Sequence, residues 1–435
     1  MTASYLSRMG SHNFYDKSLQ NISTRQNTLA ELQENLTSGK KVIRSSDDPT
    51  GAALAERALT RISRTSADQR ALEAQRNAIT MAESTLGEVV DRLQEFRELV
   101  VQAGNGSYSA AERSIVGRQL NSLREHIINL ANRNDSNGMP LFAGLGSESQ
   151  PFQGPGELPL DYTFKGLPGQ TGSTVNSIPY ALDGESAFMF QPARDGIYDV
   201  TVKDLSGSGA ITAPRSLSTG NVSMTNASKV NDSRFEIEII DVLPGASAGT
   251  NTLSYKITET TATGANLPST GPFVVPDYPA NKPANFTVEI LPQVAPLKPA
   301  LTLNIHGTPA AGDTINIKPR PSIFSALDDA VRNIGGAVNG ASSSQAVVQA
   351  LNAIDAGLNR VMAVRGQAGE LLNRADRITE SNSKLNIELE ANRSRAEDLD
   401  MVKGISDFQN QQTAYQAALQ SYAQVQKLSL FEYIR

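Results

Sequence analysis

Cysteine is absent from the 435 residues, which excludes disulfides, thiolate nucleophiles and thiolate-ligated metals. Tryptophan is absent too. The three histidines, His12, His126 and His306, lie far apart and match no ligand spacing such as HxxxH or HExxH. No metal or cofactor is therefore expected. Basic charge is not in excess: 39 Lys and Arg stand against 45 Asp and Glu, a net charge of -6. Such a surface does not attract a phosphate backbone or an anionic leaflet, so nucleic acid is not an expected partner. No run approaches the ~18 apolar residues of a membrane span, and no membrane insertion is expected. The opening MTASYLSRMGSHNFYDKS lacks the ~7 to 15 residue apolar core of a cleavable secretory signal. Classical secretion is not indicated.

What the chain does have is 39% hydrophobic residues, enough for real cores, and length for two or three domains. Proline draws the map. Of the 21 prolines, 19 fall between Pro151 and Pro321. Proline breaks helices, so the flanks are open to long helices and the middle is not. The flanks are also rich in Gln, Ala, Leu, Arg and Glu, whereas the middle favours Gly, Ser, Thr and Val.

A first helix is expected from Ser11 to Ser38, with Gly39 at its C-terminal cap. Its seam reads Tyr15, Leu19, Ile22, Gln26, Leu29, Gln33 and Leu36, with Leu32 on the shoulder: a heptad stripe. A second helix starts at Asp47-Asp48-Pro49, where Asp48 accepts the free N–H groups of the first turn and Pro49 fits the first helical position. Leu72, Ile79, Leu86, Leu93 and Val100 then recur every seven residues. From Pro49 to Gln102 this is ~80 Å of helix at ~1.5 Å per residue. A third helix opens on the capping box Ser109-Ala-Ala-Glu112 and should end at Asn137-Gly138.

Strands are expected at Ile197 to Val202, Phe235 to Val242, Leu253 to Thr258, Phe286 to Leu291, Leu301 to Ile305 and Thr314 to Ile317. Alternation as in Phe235-Glu-Ile-Glu-Ile suits half-buried antiparallel strands. Helix returns at Ile323 to Ile334, then from Gln345 almost to the end. The last part has its own seam: Ile405, Phe408, Gln412, Tyr415, Leu419, Tyr422 and Gln426.

The expected fold is therefore an α+β multidomain chain, with long antiparallel coiled-coil helices from both ends and an inserted all-β domain. Three domains follow. Residues 1–45 with 396–435 form a terminal helical coiled coil, 46–149 with 322–395 a long-helix bundle core, and 150–321 a β-rich outer domain. Leu72, Ile79, Leu86, Leu93 and Val100, with Asp48 and Pro49, are the structural residues of the core.

Few side chains invite a chemical reading. Asp47-Asp48 offers paired carboxylates, but the following proline and helix favour capping. Asp328-Asp329 sits in the first turn of a short helix, where negative charge suits the dipole. Gly366 and Gly369 lack the preceding strand and the GK[ST] of a phosphate loop, and close helix packing is the better reading. His126 flanks an apolar stripe as a surface or boundary residue. Asp195, Asp199 and Asp204 are tied together by no motif, and no catalytic residue is assigned. The seam glutamines either fix register and partner in a coiled coil or face solvent where the seam drifts. The apolar tail with Val425, Leu428, Leu430 and Phe431 would form a sticky patch if left in water. Burial in a subunit interface or a chaperone groove is favoured over burial in the same monomer.

Several segments together resemble the flagellin superfamily and, within it, the hook-filament junction proteins known as hook-associated protein 3. They are Ile22-Ser-Thr-Arg-Gln26, Leu29 to Leu36, Thr37-Ser-Gly-Lys-Lys-Val42 and Ser46-Asp-Asp-Pro49, then Asn132 to Gly138 and Leu141-Phe-Ala-Gly144. Gly312-Asp-Thr-Ile-Asn-Ile317 with Ile323-Phe-Ser-Ala-Leu-Asp328 looks like the family's re-entry into helix. Gln411-Gln-Thr-Ala-Tyr-Gln-Ala-Ala-Leu419 and Leu428-Ser-Leu-Phe-Glu-Tyr433 look like its C-terminus. The likeness covers residues 10–145 and 320–435, and departs from the usual opening pattern over Met1 to Ser11.

The resemblance implies a structural subunit, not an enzyme, exported to the extracellular flagellum by the type III apparatus without a cleaved signal and held by an export chaperone beforehand. It implies a ring of identical subunits between hook-associated protein 1 and flagellin. The subunit interface would then run through Leu19, Ile22, Gln26, Leu29, Leu32, Leu36, Ile405, Phe408, Gln412, Tyr415, Leu419, Tyr422 and the tail residues named above. A filament flagellin, or a surface adhesin carrying a β domain on a helical stalk, are the alternatives.

Overall fold

The computed structural model describes residues 3–156, 161–203, 217–229, 232–291, 299–337 and 340–433, with side chains from Asp16 to Gln424 apart from Lys229 and 340–342. Helices α1 (Ala3–Ser38), α2 (Pro49–Ala103) and α3 (Ala110–Ala131) lead into a β-rich middle, which closes on α6 (Ile323–Gly335), α7 (Gly340–Glu397) and α8 (Met401–Tyr433). Two short helices, α4 (Gly184–Phe188) and α5 (Pro192–Asp195), fall inside the middle. The chain divides into two compact units, one of Met1–Ala71 with Arg377–Arg435 and the other of Leu72–Asp376. Both boundaries run through long helices, α2 and α7. Among the described residues, no helix is long and apolar enough to cross a membrane.

In the Leu72–Asp376 unit the seven-residue repeat of α2 is the spine of the core. Leu72, Ile79, Leu86, Leu93 and Val100 are all buried, as is Phe96 between the last two. The α2 and α7 segments run antiparallel, laced by Arg365 to Glu83 at 2.7 Å, Arg97 to Asp355 at 2.7 Å and Arg76 to Asp376 at 3.2 Å. These pairs are half exposed and worth little each; the buried stripe carries the stability, at about 1.5–3 kcal/mol per large side chain. Gly366 and Gly369 pack against nothing within reach of a Cβ, so close helix packing does not explain them.

Close packing occurs elsewhere, where α3 crosses α6. A Cβ on Gly117 would lie 2.9 Å from the Gly335 Cα, so the two backbones touch. The Ser109–Glu112 capping box is formed, but α3 ends at Ala131, not at Asn137-Gly138. Gly138 instead takes a left-handed φ of 80° in the following turn. Asp328 and Asp329 do more than face a helix dipole. Asp328 pairs with Arg124, and Asp329 accepts from Arg320 at 2.7 Å. Buried Arg320 also donates to Asp199 at 3.0 Å and so ties α6 to the sheet. Burial pushes the Asp329 carboxyl up from its ordinary value, while the Arg320 guanidinium pulls it back.

The middle forms β1 (Phe152–Gln153), β2 (Thr163–Phe164), β3 (Tyr198–Lys203), β4 (Leu217–Met224), β5 (Arg234–Pro244), β6 (Thr250–Thr260), β7 (Thr270–Pro279), β8 (Ala284–Ile290), β9 (Leu301–Gly307) and β10 (Thr314–Pro319). A five-stranded sheet, β3-β10-β5-β6-β7, and a three-stranded sheet, β4-β9-β8, share one apolar core; every pairing is antiparallel. Phe235, Ile237 and Ile239 point into it, with Ile237 opposite Ile315 and Phe235 opposite Ile317. Two long strands, β4 and β7, were not among those expected. Strand β7 carries Pro272, Pro276 and Pro279, tolerated because it is an edge strand. Asp204 lies outside the described residues.

The Gly117–Gly335 crossing sets a steric limit. Gly117→Val is expected to lower the stability of this unit by about 1–3 kcal/mol, through overpacking against rigid backbone. A urea midpoint unchanged from wild type would contradict that crossing.

Candidate assembly surface

The unit of Met1–Ala71 and Arg377–Arg435 is held by thinner means. At its corner Gly39 takes a φ of 71°, which releases the chain from α1. Lys41 N–H donates to the Glu397 carbonyl at 2.8 Å and Leu399 N–H to the Gly39 carbonyl at 2.9 Å. Lys40 pairs with the Glu397 carboxylate beside them. The end of α1 is thereby pinned to the gap between α7 and α8, a break at 398–400 that the sequence reading ran through as one helix.

Both carboxylates of Asp47-Asp48 are used by backbone amides. Asp47 accepts from Arg44 N–H at 2.7 Å and Ile43 N–H at 3.2 Å, and the Arg44 bond holds its carboxyl below the usual range. Asp48 accepts from Thr50 N–H at 3.0 Å and Gly51 N–H at 2.9 Å, capping α2. Each carboxylate takes both amides on one oxygen, Asp47 on Oδ2 and Asp48 on Oδ1. His126 is exposed. Among the described residues no group of three His, Cys, Asp or Glu is arranged to hold a metal.

Helices α1 and α8 pack antiparallel, and the pairing decides which face of each is covered. From Ser18 to Leu36 the half-buried positions of α1 are Ser18, Ile22, Arg25, Thr28, Leu29, Leu32, Asn35 and Leu36. On α8 they are Phe408, Gln411, Ala414, Tyr415, Ala418 and Tyr422, below a buried Gly404. The expected seam shared Ile22, Leu29, Leu36, Phe408, Tyr415 and Tyr422 with this one, and differed at the alternate positions. Leu19, Gln26, Gln33, Ile405, Gln412 and Leu419 face out. Within one chain, then, these glutamines contact solvent and do not lie in the seam.

The displacement has a local cause. A Cβ on Gly404 would meet Leu399 Cδ2 at 2.8 Å and Leu36 Cδ2 at 3.2 Å, so the glycine is the point of closest approach. Asp400 caps α8 through Val402 N–H at 3.1 Å, fixing where the helix begins. Gly404 rotated inward carries Gln411 and Ala418 with it, at steps of seven, and turns Ile405, Gln412 and Leu419 outward.

What remains in water is a line of apolar side chains interrupted by glutamines, Gln412 on α8 and Gln26 and Gln33 on α1. Leu19 is 45% exposed, Ile405 47% and Leu419 40%. Val402 stands out further, beside Met401, and had no part in the expected seam. The side chains of Tyr15, Val425, Gln426, Leu428, Leu430 and Phe431 lie outside the described residues. Such a surface offers apolar area to another surface, at about 25 cal/mol per Å².

Known families match both flanks. The bacterial flagellin N-terminal helical region matches residues 11–147, and the bacterial flagellin C-terminal helical region matches residues 351–434. The flagellar hook-associated protein 3 of Salmonella typhimurium is 31% identical over 153 residues, 33% of this chain and 46% of that protein. The flagellar filament 33 kDa core protein of Treponema phagedenis is 35% identical over 126 residues, 28% of this chain and 43% of that protein. The chain thus spans about half the length of the relatives it matches. Among solved structures, the hook associated protein-3 of Legionella pneumophila superposes with a TM-score of 0.58 at 21% identity, over 78% of this chain and 98% of that one. FlgL of Xanthomonas campestris gives 0.54 at 20% identity, over 78% and 99%. These two share the fold.

If Gly404 sets the α1–α8 contact, Gly404→Leu should separate the helices. Amide hydrogen exchange over residues 18–36 is then expected to accelerate, while the buried α2 stripe from Leu72 to Val100 keeps its protection. Unchanged exchange in α1 would show that the pairing rests elsewhere.

Proposed function

We propose that this chain, whose two flanks match the bacterial flagellin N- and C-terminal helical regions, is a hook-filament junction subunit, a structural component of the extracellular flagellum. The observation that carries the reading is the apolar stripe of Leu19, Ile405 and Leu419, left in water by the α1–α8 pair. A subunit that exposes such a stripe gains its stability on meeting its neighbours. Kinship with hook-associated protein 3 of Salmonella typhimurium supports the junction role, as does the Leu428-Ser-Leu-Phe-Glu-Tyr433 ending.

In this reading the terminal helices line the inner tube of a ring of copies, and the stripes of adjacent copies close on one another. Ile22, Leu29, Leu32, Leu36, Phe408, Tyr415 and Tyr422 hold the pair within a copy, and Leu19, Gln26, Ile405, Gln412 and Leu419 meet the next. Here the seam glutamines set register between copies. The tail of Val425, Leu428, Leu430 and Phe431 joins the interface after release from an export chaperone. Hook-associated protein 1 lies on the hook side and flagellin on the other, with delivery by the type III export apparatus. The threefold division, with 150–321 outermost, describes the working parts, and the subunit is not an enzyme. Kinship to the Treponema filament protein keeps filament flagellin as the second reading.

Electron microscopy of a deletion strain separates the two. Hooks without filaments, with flagellin released into the medium, are expected for a junction subunit. A strain that lacks filaments and releases no flagellin would instead indicate the filament protein. In the complemented strain, Ile405→Asp with Leu419→Asp changes two exposed positions, so the chain should fold and be exported yet restore no filaments. Normal filament attachment would remove the stripe from the assembly contact.

A further inference from the structure

In the terminal unit α2 meets α7 through small side chains of its own. Gly51, Ala55, Ala58 and Thr65 are buried on α2, facing Ile378, Asn382 and Leu389 of α7. Small residues bring the helices close and leave their flanks open. On one flank lies a groove of 980 Å³ whose floor is Leu54, Ala58 and Leu389. Its rim carries Arg57, Arg61 and Arg395 against a single acid, Glu56. Among the described residues none of the three arginines pairs with a carboxylate. Arg395 donates only to the Ala391 carbonyl at 3.2 Å and to Asn392 Oδ1 at 2.7 Å. Arg57 and Arg61 stand four apart on one helix face, a like-charge spacing that costs the isolated helix a few tenths of a kcal/mol. An apolar floor under unneutralised guanidinium groups fits an acidic, apolar helix face.

The same unit carries an apolar face with one carboxylate, Glu390, on it. Ile387 is 71% exposed on α7, and Ile62, Ala391, Glu390 and Ser394 surround it around a shallower hollow. At ~100° per residue Ile387 points ~160° away from Leu389, so groove and projection lie on opposite sides of α7. Both Arg393 bonds to Glu390 end on Oε1, at 3.1 and 2.6 Å, leaving Oε2 for another guanidinium. Ile387, Ala391 and Ser394 follow one another at i, i+4 and i+7. That stripe is small enough to bring a second helix to the ~8–10 Å of a packed pair.

We propose that the Arg57–Arg61 groove of one copy receives the Ile387–Glu390 face of a second copy of this chain, head to tail. The proposal rests on the self-assembly reading above and adds a contact separate from the α1–α8 stripe. Because the two faces differ, the contact is heterologous; repeated, it gives a closed ring if the rotation closes and a helical array if it does not. A single copy cannot satisfy it, since both faces belong to the same helix pair.

The absence of cysteine makes the test direct. Leu54→Cys and Ile387→Cys both replace exposed side chains, so folding should be spared. Cells expressing both variants together would have their assembled flagella treated with a short bismaleimide. A dimer of the chain is expected from the mixture, and none from either variant alone. Arg57→Glu with Arg61→Glu should cut the yield about tenfold, and Glu390→Arg on the opposing copy should restore it. Dimers from Leu54→Cys alone, or a cross-link to a different protein, would overturn the proposal. So would a mixture that fails here while Leu19→Cys with Ile405→Cys cross-links between copies, an outcome that leaves self-assembly standing. Failure of both mixtures would remove the self-assembly reading as well.

Discussion

A helix is stable in water to the extent that it buries a stripe, and this chain meets that constraint in two ways. In the Leu72–Asp376 unit, α2 places Leu72, Ile79, Leu86, Leu93 and Val100 out of solvent against its own chain. Branched or aromatic groups of that size each contribute about 1.5–3 kcal/mol, enough to offset the ordering of a long helix. The surface ion pairs between α2 and α7 then need only set alignment. The sheets, the Arg320 network and the Gly117–Gly335 crossing all belong to a unit whose spine is already buried.

The terminal unit meets the constraint only in part. Its seams alternate apolar residues with Arg25, Gln411 and small side chains, and most inward positions are half-buried. Where α2 and α7 continue into it, glycine, alanine and threonine of α2 lie against Ile378, Asn382 and Leu389 of α7, closed by Gln69 donating to Thr379 at 3.1 Å and accepting from Asn382 at 3.2 Å. Leu54, Leu59, Ile387, Ile405 and Leu419 stay exposed. Isolated surface leucines need no explanation, but exposed stripes along paired helices do. In the proposed assembly neighbouring copies cover them.

Charge follows the same division. In the Leu72–Asp376 unit Arg320 holds Asp199 and Asp329, Arg124 holds Asp328, and buried Arg113 donates to the Ala337 and Tyr108 carbonyls. Unpaired charge at such sites would be costly, and the pairs are made within the chain. On the terminal unit Arg57 and Arg61 rim an apolar groove unmatched. Carboxylates that look reactive in sequence, Asp47 and Asp48, are instead bound to backbone amides at the corner between helices. Each accepts two amide hydrogens through one oxygen, which fixes its orientation at that corner.

The sequence alone determined the elements whose signals are local. Proline confined helix to the flanks, the seven-residue repeat marked the α2 core, Asp48-Pro49 and Ser109–Glu112 marked helix starts, and alternation marked β5 and β9. It could not determine faces and ends that depend on a partner. A heptad stripe fits two faces of α8 one residue apart, and the choice fell to Gly404 against Leu36, a contact over 350 residues distant in sequence. The break at 398–400 is made by the chain returning from Gly39, and β7 survives three prolines because only one of its edges is paired. Even Gly117 and Gly335 are unremarkable until α3 and α6 cross. Tertiary structure decided these points because each is set by what lies opposite in space, and local periodicity carries no information about that.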